Sequence, residues 1–96
     1  MAKKQTNSLL SLPNIGKVTA RKLEAIGIVT REQFLSLDPY EVFLRLKTEV
    51  DPTLCRCALA CIIGAHAGIK WPQIRAEAAK EWELRFPDAP TWNCYC

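Results

Sequence analysis

Two basic side chains beside a chain turn are the residues of this 96-residue sequence best placed to do chemistry. Lys17 and Arg21 are four positions apart, which makes them neighbours on one helix face. The turn before them ends where a helix begins, and the first N–H groups of a helix lack partners within it. Such donors attract anions, phosphate included. We therefore predict a nucleic-acid contact, made to backbone phosphates without reading sequence, at Asn14, Ile15, Gly16, Lys17 and Arg21.

The charge distribution is compatible with this prediction but does not require it. The net charge is +3, and it divides into +5 over residues 1–31 and −2 over residues 32–96. A similar excess occurs in many proteins that never meet nucleic acid. DNA-binding turns of this type usually have glycine at both ends, whereas Asn14 brings a side chain to the place where phosphate would approach. A stable helical corner with solvated cations is the alternative interpretation.

Metal and catalytic chemistry have little support in the residue spacing. Cys57 and Cys61 share a helix face and Cys94 and Cys96 are close together, but neither pair is the Cys-x-x-Cys of zinc sites. His66, the single histidine, is in an apolar run and is predicted to be a packed residue rather than a base. No Ser/His/Asp arrangement or Gly-rich phosphate loop is present. We expect no metal, no cofactor, no small-molecule substrate and no enzymatic activity.

Capping residues and prolines mark the start of most segments, and strand signals are nearly absent, so the sequence predicts helices. Helices must therefore position the turn. The predicted fold class is all-α, with five to six helices around a helix-hairpin-helix (SAM-like) core. The predicted helices are a short one ending at Leu12, then 17–26 stopped by Gly27, 30–37 with a Thr30-x-x-Gln33 capping box, one opened by Asp38-Pro39, 52–68 opened by Asp51-Pro52, and one opened by Trp71-Pro72.

The hairpin spans residues 12–23. Ile15 is predicted to fill the space between two helices, Gly16 to turn the backbone, and Ala20 to let the helices approach. The buried face is predicted to continue through Val18, Leu23 and Ile26. The later helices supply core residues at helical spacing, namely Tyr40, Phe43, Leu44 and the stem of Lys47, then Ile74, Ala78, Trp82 and Phe86, with Gly64 and Gly68 allowing close helix approach and Trp71 as a further anchor.

The composition is that of one soluble domain, with 49% hydrophobic and 24% charged residues. We predict a flexible arm at residues 1–7, a helical domain at 8–86 and an irregular tail at 87–96 that contains Trp92. The start of the chain lacks the apolar run of a signal peptide, and no stretch reaches the roughly 20 apolar residues of a membrane span. A cytoplasmic protein without membrane contact is expected.

The order of motifs resembles the C-terminal domain of the TfoX/Sxy competence regulators over about residues 8–86. The matching segments are Leu12-Pro13-Asn14-Ile15-Gly16-Lys17, Leu23-Glu24-Ala25-Ile26-Gly27-Ile28, Glu41-Val42-Phe43-Leu44-Arg45-Leu46-Lys47, Cys57-Ala58-Leu59 through Gly64-Ala65, and Gly68-Ile69-Lys70-Trp71. The resemblance implies an all-α, SAM-like fold and an association with regulation of bacterial DNA uptake. Full-length members carry an N-terminal α/β domain that is missing here, so a stand-alone domain is expected.

Two functions follow as expectations. The first is a non-enzymatic module that binds DNA non-specifically through the hairpin, or acts within a DNA-bound complex. The second is a protein-interaction module, with a protein partner or a second copy of the chain, that does not contact nucleic acid.

Overall fold

The computed structural model describes residues 9–88, and within that range the chain is helical without strands, which confirms the all-α prediction. After a short 3₁₀ turn at residues 9–11, the elements are α1 (Lys17–Ala25), α2 (Arg31–Leu35), α3 (Pro39–Arg45), a π-helical turn (Leu46–Val50), α4 (Arg56–Ala67) and α5 (Trp71–Arg85). The predicted arm 1–7 and residues 89–96 of the predicted tail lie outside the described residues, as do Trp92, Cys94 and Cys96.

Local capping sets the beginnings of α2 and α3 as predicted. The Thr30 side chain accepts a hydrogen bond from the Gln33 N–H at 3.1 Å, and the Gln33 side chain accepts from the Thr30 N–H at 3.0 Å. The Asp38 side chain accepts from the Tyr40 N–H at 2.9 Å, and Pro39 occupies the first helical position. These caps satisfy N–H groups that have no partner within the helix. Helix α2 ends at Leu35, two residues earlier than predicted.

The end of α1 also follows the prediction. Gly27 takes a left-handed conformation at φ 88°. The N–H of Gly27 donates to the Glu24 carbonyl at 2.9 Å, and the N–H of Ile28 donates to the Leu23 carbonyl at 3.0 Å. This pair of bonds is a Schellman motif, and the buried side chains of Leu23 and Ile28 accompany it.

The predicted start of the fifth helix at Pro52 is wrong, because α4 begins at Arg56. The Asp51 carboxylate accepts from the Thr53 N–H at 2.9 Å and from the Thr53 hydroxyl at 2.5 Å, which makes residues 51–54 a turn. The buried Lys47 ammonium donates to the carbonyls of Pro52 at 2.9 Å and Leu54 at 2.8 Å. In a helix that began at Pro52, these carbonyls would accept hydrogen bonds from backbone N–H groups of the next turn. Because Lys47 binds them instead, the chain forms a turn here.

The core lies where α4 and α5 pack on each other and on α3. Trp82 is 2% exposed and meets Phe43 edge to face, with ring centroids 5.2 Å apart. Ala78 is fully buried on the same stripe of α5, and Leu59 and Ile62 of α4 belong to the same core. The predicted stripe of α5 is confirmed for Ala78 and Trp82, with Ile74 and Phe86 partly buried.

Side-chain contacts also join the end of α5 to the start of α3. The Arg85 guanidinium donates to Asp38 at 2.7 Å and to Glu81 at 2.8 Å, and it lies 4.4 Å from the centre of the Tyr40 ring. Within residues 9–88, no helix combines the length and apolar character needed to cross a membrane.

Candidate anion-binding site at the hairpin turn

The turn before α1 is made by Asn14 rather than by Gly16. Asn14 has φ 68°, in the left-handed region that asparagine tolerates better than most residues. Gly16 is extended at φ −102° and ψ −173°, so its predicted role in turning the backbone is wrong. Ile15 is 7% exposed and fills the space between elements as predicted. The sharp change of direction therefore occurs two residues earlier than expected.

The Asn14 side chain binds the connection between α4 and α5. Its Nδ2 donates to the Ile69 carbonyl at 2.9 Å, and its Oδ1 accepts from the Trp71 N–H at 3.2 Å. Both ends of the amide are therefore used within the fold. The side chain that was expected at the place where phosphate would approach is instead held against another part of the protein.

Gly64 provides the space for this arrangement. A Cβ atom at this position would lie 2.7 Å from Asn14 Nδ2 and would collide with the Ile69 carbonyl oxygen. The Ile69 N–H donates to the Gly64 carbonyl at 2.8 Å, so the chain after α4 folds back onto Gly64. At Gly64 the predicted close approach is made by the hairpin turn and the α4–α5 connection rather than by a helix. At Gly68 the prediction is wrong, because nothing lies within 4 Å of a Cβ built there.

The start of α1 has donors that nothing within residues 9–88 satisfies. Its N-cap is Gly16, which has no side chain to accept a hydrogen bond, and no acidic residue lies in the first turn. The N–H groups of Lys17, Val18 and Thr19 have no partner among the described residues. Gly16, Lys17 and Val18 are all exposed. This helix end is therefore open to an anion from solvent.

The start of α5 lies nearby, but its donors are satisfied. The Trp71 N–H is bound by Asn14, Pro72 has no N–H, and the Gln73 N–H donates to the Lys70 carbonyl at 3.1 Å. Of the two helix starts that meet around Asn14, only that of α1 has N–H groups left for a ligand.

Two cations of α1 are available to this helix end and one is neutralised. Lys17 and Arg21 are exposed and make no ion pair with a described residue. Lys22 Nζ lies 2.6 Å from Asp51 Oδ2. Hydrogen bonds from Lys22 and then from Thr53 hold the pKa of Asp51 well below its usual range. The Lys22 ammonium is thus paired within the fold, whereas the side chains of Lys17 and Arg21 are exposed to solvent.

Val18 was predicted to be buried, and this is wrong because its side chain is 67% exposed. The spacing already contained this information, since Val18 is two positions from buried Ala20 and residues so related do not share a helix face. Leu23 and Ile26 are buried as predicted. The exposed surface at the start of α1 thus includes Val18, which sequence reasoning missed.

The remaining candidate residues are His66, Cys57 and Cys61. His66 Nε2 lies 3.1 Å from the Leu35 carbonyl, and its ring packs on Phe34 with centroids 5.6 Å apart, so the prediction of a packed histidine is confirmed. Cys57 and Cys61 are half-buried free thiols. In the part of the chain that the structure describes, no three His, Cys, Asp or Glu side chains are grouped as metal ligands.

Comparison with known proteins identifies what the chain is similar to. The family model described as the TfoX C-terminal domain matches residues 5–84. The crystal structure of an uncharacterized protein from Listeria monocytogenes, triclinic form, is similar at 30% sequence identity with a TM-score of 0.69. That match covers 86% of this chain and 98% of the Listeria chain. No curated protein matches significantly.

Proposed function

This chain belongs to the TfoX C-terminal domain family, and from that premise we propose that it is a non-enzymatic module related to bacterial competence regulation. In this proposal the start of α1 binds the DNA backbone without reading sequence, either alone or within a DNA-bound complex. Family membership supports the association with competence. The contact with DNA is argued from the geometry of the hairpin.

The orientation of the Asn14 side chain carries the proposal. Because its amide is bound to Ile69 and Trp71, it leaves the N–H groups at the start of α1 uncovered. Lys17 is the first residue of α1, Arg21 lies about one turn further along the same face, and both are exposed. A phosphate there would gain hydrogen bonds from the backbone and charge attraction from two side chains. It would also offset the unfavourable placement of cations near a helix start.

Titration of labelled duplex and single-stranded DNA of arbitrary sequence, followed by fluorescence anisotropy, tests this proposal. We expect binding that weakens as salt rises. Exchanging both Lys17 and Arg21 for alanine should lower affinity about tenfold or more at low salt and reduce the salt slope by about 2. Lys80→Ala, which removes an exposed cation from α5, is the control and should have little effect. Absence of binding to either DNA at low salt would contradict the proposal.

A protein-interaction module is the second candidate, and exposed apolar side chains favour it. Leu84 on α5 is 71% exposed and Leu37 is 41% exposed. Exposed apolar side chains that form a contiguous patch are commonly covered by a partner or a second copy, so this candidate requires Leu84 or Leu37 to belong to such a patch. Light scattering over a concentration series, together with a pull-down from the source cell, tests this alternative. A strictly monomeric protein with no enriched partner would count against it.

A further inference from the structure

A partly enclosed cavity of about 170 Å³ lies between α1, α3, α4 and the π-helical turn, and Thr19 and Lys22 are the residues of α1 that line it. Its floor is formed by Phe43, Leu46 and Ile62, each at most 2% exposed. Leu54 and Ala58 are half-buried and stand at its edge. The surface that surrounds the cavity is therefore mostly apolar, and a charged molecule would lose its hydration there without recovering it.

The polar groups at the edge are few and carry no unbalanced charge. Lys22 lines the cavity, but its ammonium is paired with Asp51 at 2.6 Å. Burial raises the pKa of the Cys61 thiol, so this lining residue is neutral at physiological pH. The Thr19 hydroxyl, also from a lining residue, has no hydrogen-bond partner within residues 9–88. A ligand in the cavity could therefore form a hydrogen bond with this hydroxyl without breaking another one.

We propose that this cavity binds a small neutral aromatic molecule of single-ring size that bears one hydrogen-bonding group. The volume is suited to such a molecule, because an apolar cavity of about 150 Å³ in another protein takes up benzene. The buried side chains of Phe43, Leu46 and Ile62 form an apolar floor beneath such a ring, and Thr19 offers a partner for one hydroxyl. The Lys22–Asp51 pair disfavours an anion, since the cation is already neutralised.

Phenol and benzoate are matched probes, because they share a ring and differ in charge. In a titration followed by amide chemical shifts, phenol should give saturable shifts that centre on Ala58 and Cys61. Benzoate should bind about tenfold more weakly or worse, because its carboxylate must be desolvated. Ala58→Leu fills the cavity and should abolish the phenol shifts, whereas Ala67→Leu, at an exposed position of the same helix, should leave them unchanged.

Alkylation of the thiols gives a second measurement that needs no variant. Saturating phenol should slow the reaction of Cys61 with iodoacetamide severalfold, as followed by peptide mass spectrometry. Cys57 does not line the cavity and should react at an unchanged rate. The proposal is overturned if phenol gives no saturable shifts below the concentration that unfolds the chain, if benzoate binds equally well, or if Cys61 is not protected.

Discussion

Asn14 and Gly64 are in direct contact across the fold, because the amide nitrogen of Asn14 occupies the space where a Gly64 side chain would begin. A Cβ atom on Gly64 would lie 2.7 Å from Asn14 Nδ2. The contact joins the hairpin turn to α4, and the Asn14 amide continues to Ile69 and Trp71 at the start of α5. The position of the proposed anion site relative to the rest of the molecule therefore depends on these two residues.

Gly64→Ala is expected to lower the free energy of unfolding by about 2 kcal/mol. The new methyl must displace the Ile69 backbone or the Asn14 amide, and crowding of this kind costs more than the improved helix propensity of alanine returns. Urea denaturation measures the change. Gly16→Ala is the matched control, because nothing lies near that position, and it should cost less than about 1 kcal/mol. Equal losses in the two variants would refute the close contact.

Asn14→Ala should destabilise the chain by about 2–3 kcal/mol. It removes two hydrogen bonds, each with a net value of about 1 kcal/mol, and it places alanine in a left-handed conformation. Asn14→Gly loses the same bonds without the conformational penalty, so it should be about 1 kcal/mol more stable than Asn14→Ala. The difference between the two denaturation midpoints measures the left-handed strain. Equal midpoints for the two variants would show that the turn rearranges and that no left-handed strain is present.

The Lys22–Asp51 pair should make the stability of the chain depend on pH in acid. The pKa of Asp51 is lower in the folded state than in the unfolded state. The pair therefore contributes fully to the free energy of unfolding at pH above the unfolded-state pKa, and this contribution is lost as pH falls toward the folded-state pKa. The free energy of unfolding of wild type should exceed that of Asp51→Asn by about 1 kcal/mol at neutral pH, and this difference should narrow below about pH 5. Thermal unfolding of both proteins across this range tests it. Asp88→Asn, at an exposed position, is the control, and a gap that widens in acid would contradict the assignment.

Val18→Asp should separate DNA binding from stability. An acid in the first turn of α1 interacts favourably with the helix dipole, so stability should stay level or rise by about 0.5 kcal/mol. The same carboxylate would repel phosphate from the start of α1 and should weaken DNA binding about as much as loss of Lys17 does. Anisotropy and urea denaturation of the one variant provide both measurements. DNA binding at wild-type strength would place the interface elsewhere.

Several parts of the fold could be predicted because their causes are local. The Thr30 capping box, the Asp38 cap and the Gly27 termination each depend on residues within one helical turn, and all three are confirmed. The family resemblance and the all-α class followed from the order of such signals. The candidate site could likewise be placed at the start of α1, since a turn followed by Lys17 and Arg21 is visible in the chain itself.

What the sequence determined by itself was the set of helices with short-range capping, the family, and the cations beside a helix start. Only tertiary structure decided the direction of the Asn14 side chain, because its partners Ile69 and Trp71 come from the far part of the chain. Tertiary structure also turned Asp51-Pro52 into a loop, although it has the same pattern as Asp38-Pro39. In the folded chain Lys22 from α1 binds the Asp51 carboxylate, and Lys47 binds the carbonyls beyond it. Contacts between distant segments outweigh a local helix signal when they satisfy the same polar groups.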